Sequence, residues 1–213
     1  EHAAAERRRA ALARKTKAEL SELARTRRSK DQMQAAYEEN ERRIDAAEAR
    51  IRGLEQSRKA LTDLVRSLER RESRAAQASY KALPPVRPHS LPWPVAGKVV
   101  SAFGKMRVAE LGTWTIHNGV EIAAPPGSPV RPVRPGTVIY SGPFRSYGNV
   151  VIVNHGGGFY SIYGRLDGPL LAKGVRARPD APLGVVGASQ RKVYLELRQA
   201  GRALDPLRWL RKD

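Results

Sequence analysis

The sequence predicts an α + β chain that keeps its two kinds of structure in separate parts, a long helical coiled coil followed by an antiparallel all-β domain. Three observations predict it. Residues 3–79 contain no proline, only Gly53 among glycines, and much Ala, Arg, Glu, Lys and Leu, a composition that favours helix. Residues 82–94 hold Pro84, Pro85, Pro88, Pro92 and Pro94, which forbid regular helix and favour extended chain. Beyond them, short β-branched runs alternate with glycine and proline, as in a domain built from strands and turns. The expected divisions are a helical arm at 1–81, a linker at 82–94 and a β domain at 95–213.

Within the arm, Met33, Tyr37, Asn40, Ile44, Ala47, Ile51, Leu54, Arg58, Leu61, Val65 and Leu68 follow a four-three alternation. That is a heptad seam. A helix over these positions is about 54 Å long at 1.5 Å per residue, so it is expected to project from the globular part and to need a partner along its stripe. Asn40 and Arg58 weaken the seam but can fix its register. Ser29 with Gln32 three residues later fits a capping box, which places a possible helix break at 25–31. An earlier helix carrying Leu12, Leu20 and Leu23 would then fold back on the long one. It would cover only part of the seam, so more coiled coil is expected upstream or from another molecule.

The expected strand runs are Val99–Phe103, Thr115–Ile122, Gly136–Ser141, Val150–Asn154, Phe159–Tyr163, Leu183–Val186 and Val193–Arg198. In the last, Val193, Leu195 and Leu197 face one side and Lys192, Tyr194 and Glu196 the other, because strand side chains alternate. The apolar set is expected in the core and the polar set along a groove. His155, before three glycines, is expected to shape a strand end, and His89 has no expected role.

Charge and composition narrow the function classes. The net charge is +18. Residues 84–213 carry 18 basic and 7 acidic groups against 21 and 14 in residues 1–83, so the β part is the more basic one and should attract polyanions. Nucleic acid is not expected, because the 13 aromatics are not interleaved with basic residues in the manner that stacks bases. No apolar run reaches the length of a transmembrane segment. Cysteine is absent, which decides little about compartment. The first residue is Glu1 and no signal peptide is present, so a processed or truncated product is expected.

Three short motifs carry the functional reading. They are His117-Asn118-Gly119-Val120-Glu121, Tyr163-Gly164-Arg165-Leu166 and Lys192-Val193-Tyr194. Together with Gly136-Thr137-Val138, Gly148 to Gly156, Glu196-Leu197-Arg198 and Asp205 to Leu210, they give the segment from Trp93 to Trp209 a pattern that resembles the lysostaphin/LytM metallopeptidases. In that family the motifs read H-x-x-x-D, Y-x-H-L and H-x-H. Here one histidine survives. The arm and the degenerate site make the chain similar to EnvC-type murein hydrolase activators.

The resemblance implies a fold and a role, and the residue chemistry agrees on what is lost. A catalytic zinc needs three protein ligands and an open position, whereas His117 and Glu121 supply two at most. A phenol such as Tyr194 is a poor ligand at neutral pH, and arginine cannot act as a general base. No catalytic residue, metal or cofactor is therefore expected. The resemblance implies that His117, Glu121, Tyr163, Arg165, Lys192, Tyr194 and Glu196 line a groove that binds a peptidoglycan amidase of the N-acetylmuramoyl-L-alanine type in the periplasm. It also implies an FtsEX-type ABC division complex acting through the coiled coil, with the stretch before Ser29 as the expected segment that occludes the groove. Peptidoglycan is a further expected partner. Residual zinc peptidase activity on peptidoglycan and simple peptidoglycan binding are the alternatives.

Overall fold

The computed structural model describes residues 2–75, 86–108, 113–168 and 170–212. Helix α1 spans His2–Ala75. It is followed by β1 (Lys98–Ser101), β2 (Gly104–Val108), β3 (Thr113–His117), β4 (Val120–Ala123), β5 (Pro129–Val130) and β6 (Gly136–Pro143). Next come β7 (Asn149–Asn154), β8 (Phe159–Asp167), β9 (Arg176–Ala177), β10 (Gly184–Val186), β11 (Lys192–Gln199) and β12 (Arg202–Leu204). All seven expected runs contain strand, although Thr115–Ile122 is split by a bend at 118–119. Strands β2, β5, β9 and β12 were not among the expected runs.

The helix runs unbroken through Ser29, which corrects the expected break at 25–31 and the fold-back of the preceding stretch. Residues 25–31 contain neither proline nor glycine, and extending an existing helix by one residue is far easier than nucleating a new one. Contacts divide the chain into two units, residues 1–50 and residues 51–213. In the first, Leu12, Leu20, Leu23, Met33, Tyr37 and Ile44 are exposed.

In the second unit the seam meets the β domain. Leu61, Val65 and Leu68 are 1%, 0% and 8% exposed and pack against Ile139, Val150, Ile152, Tyr160, Ile162 and Tyr194. This stretch does not project from the globular part as expected, because its apolar stripe finds a partner in the sheet. Burying each of these three side chains stabilises the docked helix by about 1.5–3 kcal/mol.

Among the described residues, ten strands form one antiparallel sheet with the central order β1-β4-β11-β8-β7-β6-β9. Its two faces bury different cores. Val120, Ile122, Val151, Val153, Tyr163, Val193, Leu195 and Leu197 belong to one cluster, and their neighbours Val150, Ile152, Ile162 and Tyr194 to the cluster under α1. The central strand β7 is thus apolar at Val150, Val151, Ile152 and Val153 without alternation, because both its faces are covered.

The segment 86–94 lies against the C terminus. Leu91 bridges Leu210, Leu91 N donates to Trp209 O at 3.0 Å and Arg211 N to Leu91 O at 2.8 Å. Trp93 Nε1 donates to Arg211 O at 3.0 Å, and His89 Nδ1 lies 3.1 Å from Leu210 O. Residues 82–85, the start of the expected linker, lie outside the described residues.

His155 is buried at the end of β7. Its Nδ1 is 2.8 Å from Pro135 O, a carbonyl that only accepts, so Nδ1 carries the proton and Nε2 accepts from Ser161 Oγ at 2.7 Å. Burial pushes its pKa down to about 4, with the nearby Arg134 adding to the effect and the Pro135 bond opposing it. Unfolded histidine takes a proton near pH 6.5, whereas the folded ring stays neutral until about 4. The unfolded state therefore binds more protons in that window, and stability falls as pH drops through it, by about 3 kcal/mol at most. Urea unfolding at pH 7 and pH 4 should show this loss, and His155→Gln should remove most of it.

Candidate functional site

Strands β4, β8 and β11 build the site on the helix-facing side of the sheet. Tyr194 on β11 pairs with Glu121 on β4 and with Gly164 on β8. Residues opposite one another share a face, so Glu121, Lys192, Tyr194, Glu196 and Arg198 line up on it.

Arg165 would point to the other face by simple alternation from Tyr163. Its φ of 64° lies in the left-handed region, and the β7–β8 register advances by three residues on β8, from Tyr163 to Leu166, while β7 advances by two. This extra residue is a bulge that turns the Arg165 side chain into the groove. Tyr163, expected in the groove, instead sits fully buried in the opposite core, where its hydroxyl accepts from Val133 N at 2.8 Å. The bulge separates two residues that the motif writes two apart.

His117 and Glu121 do not share one continuous strand, as the spacing was read. The bend at 118–119 puts them on β3 and β4. Gly119 is needed there, since a Cβ would stand 2.3 Å from Leu195 O. His117 Nδ1 lies 2.8 Å from Ser101 Oγ. Burial lowers its pKa, and the cations of Lys192 and Arg165 add to this against the opposing charge of Glu121.

The centre of the site is a carboxylate held by two cations. Arg165 Nη2 donates to Glu121 Oε1 at 2.7 Å and Lys192 Nζ to Oε2 at 2.6 Å. Arg165 Nη1 also donates to Gln190 Oε1. Burial alone would raise the Glu121 pKa, but the Lys192 hydrogen bond and the charges of Arg165 and Lys192 together outweigh it, so the carboxyl titrates below its ordinary value. Both carboxylate oxygens are therefore occupied by protein donors.

A second charge network lies next to it, under α1. Tyr194 Oη donates to Glu196 Oε2 at 2.7 Å, Arg198 Nη1 donates to Glu196 Oε1 at 2.7 Å, and Arg198 Nη2 to Gly201 O at 2.8 Å. Burial raises the Glu196 pKa, and the charge of Arg198 and the Tyr194 bond offset this in part. Burial, followed by the charge of Glu196, drives the Tyr194 phenol well above its ordinary value. Tyr147, whose ring centroid is 4.9 Å from that of Tyr194, is pushed by the same causes up to about 12. The seam residue Arg58 lowers the pKa of both Tyr147 and Glu196 through its charge.

Six of the seven expected groove residues thus face one side of the sheet or its edge, and Tyr163 does not. Arg198 was missed, although its even spacing from Lys192, Tyr194 and Glu196 along β11 was a signal. Ser101 and Tyr147 were missed as well, and nothing in their local sequence marks them.

This donor set does not fit a zinc ion. The Glu121 oxygens are taken by cations, the phenol of Tyr194 stays protonated and bound to Glu196, and Arg165 and Lys192 add positive charge where a dication would sit. Among the described residues, no group of three or more His, Cys, Asp or Glu is placed to hold a metal ion.

Residues 115–206 match the model of Peptidase family M23. Over 122 residues the chain is 34% identical to the Escherichia coli murein hydrolase activator EnvC, covering 55% of this chain and 28% of that protein. It is 31% identical to the Escherichia coli murein hydrolase activator NlpD, over 55% of this chain and 30% of the relative. The chain thus spans less than a third of the length of these curated relatives. A zinc containing peptidase from Vibrio cholerae has a TM-score of 0.51 and 25% identity, covering 55% of this chain and 39% of that one. Helicobacter pylori Csd3, with a TM-score of 0.51 at 24% identity over 58% of this chain and 35% of its own, shares the fold.

Replacing Glu121 by Gln removes the charge between Arg165 and Lys192 and leaves two cations facing each other. These side chains are 13–31% exposed, so the expected loss is about 1–3 kcal/mol, below that of a fully buried pair. A thermal melt should show the variant about 2–8 °C below the parent chain.

Proposed function

We propose that this chain, which carries a peptidase family M23 domain at residues 115–206, is a non-catalytic activator of peptidoglycan amidases that acts in the periplasm during cell division. The observation that carries this reading is the Glu121 carboxylate saturated by Arg165 and Lys192. A groove whose ligand positions are tied to one another has lost the means to activate water, yet it keeps a shaped and charged surface for another protein. The relatives EnvC and NlpD are named as murein hydrolase activators, and the stretch that matches the family model, residues 115–206, includes Glu121, Arg165 and Lys192.

The same reading gives α1 a regulatory role. Leu61, Val65 and Leu68 occupy the sheet face that carries Tyr194 and Ile162, so the partner and the chain's own helix compete for one surface. We therefore assign the occluding role to residues 57–68 rather than to the stretch before Ser29, a reading supported by the packing of Leu61, Val65 and Leu68 on the sheet. Activation is a population shift: an amidase binds the fraction of molecules whose helix is undocked, and its apparent affinity falls in proportion to that fraction. An FtsEX-type complex acting on the coiled coil would raise that fraction.

The test is amidase release of dye from labelled sacculi with and without this protein. Leu61→Glu keeps a good helix former but places a charge against Val150 and Ile162, so it should increase stimulation by about tenfold at limiting protein. Lys192→Gln in the undocked variant should abolish the gain, with its melting curve confirming a folded domain. Equal stimulation by all three proteins would overturn the reading. Cleavage of wall peptides by the chain alone would favour the peptidase alternative.

A further inference from the structure

Residues 125–138 and 170–183 run side by side at the β9 end of the main sheet. Gly136 pairs with Ala177 and Thr137 with Arg176, and Leu183 N donates to Val130 O at 2.7 Å. The two segments hold five cations, Arg131, Arg134, Lys173, Arg176 and Arg178, against one acid, Asp180. Arg131, Lys173, Arg176 and Arg178 are exposed. Ala177 is fully buried and strand side chains alternate, so Arg176 and Arg178 both point away from the core. Among the described residues, none of these four exposed cations forms an ion pair with the protein.

The backbone beneath this charge is held in place. Pro129, Pro132 and Pro135 fix φ along one segment, and Pro179 and Pro182 along the other. The turn at 172–175 is tied to β6, with Gly174 N donating to Val138 O at 2.7 Å and Val138 N to Val175 O at 3.0 Å. Lys173 therefore stands on a fixed turn, and beside it Val175 is 43% exposed. Like charges gathered in one place repel and oppose folding, so the fold gives no reason for the cluster. An external anion does.

We infer that this sheet edge docks on a bilayer surface rich in anionic phospholipid, with Arg131, Lys173, Arg176 and Arg178 on headgroup phosphates and Val175 at the boundary with the acyl chains. Cations spread over two adjoining segments suit an extended anionic surface, to which each Lys or Arg adds attraction, and an apolar side chain among cations suits the headgroup boundary. A strand of nucleic acid is disfavoured, because neither segment contains Phe, Trp or Tyr on which bases could stack. The inference goes beyond amidase activation and uses a different part of the sheet: β7 and β6 separate β9 from the β4, β11 and β8 strands of the groove.

Co-sedimentation of the full chain with phosphatidylcholine vesicles, with and without phosphatidylglycerol, tests it. The parent chain should bind only the phosphatidylglycerol vesicles. Arg176→Glu with Arg178→Glu, and separately Arg131→Gln with Lys173→Gln, should weaken that binding by about tenfold or more, and Val175→Ser by about threefold, while thermal melts stay at the parent value. Arg14→Glu with Arg28→Glu, the same change of net charge placed on the arm, should bind like the parent chain. Both edge variants should still stimulate the amidase on soluble muropeptides, so failure of the docking and failure of the groove reading are seen separately. Equal vesicle binding by the parent chain and both edge variants overturns the inference. So does a loss in those variants confined to purified sacculi or to a poly-dT strand, or a loss on vesicles matched by the arm variant, which would make net charge alone responsible. A melting temperature lowered in both edge variants would make the cations structural and likewise overturn it.

Discussion

The carboxylate of Glu121 between Arg165 and Lys192 is the contact on which the site depends. Each of the three comes from a different strand, β4, β8 and β11, so the ion cluster ties together three neighbouring strands of the sheet. Two cations and one anion leave a net positive charge in a half-buried groove. That arrangement repels a dication and favours an acidic group on an approaching partner. The charge of the Glu121 carboxylate is neutralised by protein cations on both of its oxygens.

The second constraint is that the sheet buries both faces. On one, β4, β7, β8 and β11 pack their core against the loops and the C-terminal segment; on the other, Leu61, Val65 and Leu68 of α1 cover Ile152, Ile162 and Tyr194. The helix-facing core is small and contains a charge network at its edge, Tyr194, Glu196 and Arg198. Arg198 pairs with Glu196 and also donates to Gly201 O, so most of this buried charge is met by protein groups. An apolar interface of the same area would aggregate on opening. The buried Arg198–Glu196 pair contributes little net stability once its cost of desolvation is counted.

How much of this was legible depended on which interactions are local. The strand β11 could be read from alternation alone, with Val193, Leu195 and Leu197 inward and Lys192, Tyr194 and Glu196 on the groove side, because that pattern is a property of eight consecutive residues. The residue types at the three motifs were legible for the same reason: Glu121, Arg165 and Tyr194 are visible as such without coordinates. The resemblance puts Tyr163 and Arg165 in one groove, and on a regular strand residues two apart do share a face. A left-handed residue in a bulge sends them to opposite faces, and no side chain announces that; arginine is not a residue type from which such a backbone is expected.

The sequence by itself determined the division into helix and sheet, the seam of heptad positions and the residue types at the three motifs, since composition, periodicity and residue type are local quantities. Only the tertiary structure decided what covers the seam. Periodicity states that Leu61, Val65 and Leu68 need an apolar partner, but the same stripe fits a second helix or a sheet, and the choice is made by residues more than seventy positions away, Ile139, Val150, Ile152 and Ile162, whose side chains meet the helix only once the strands are assembled.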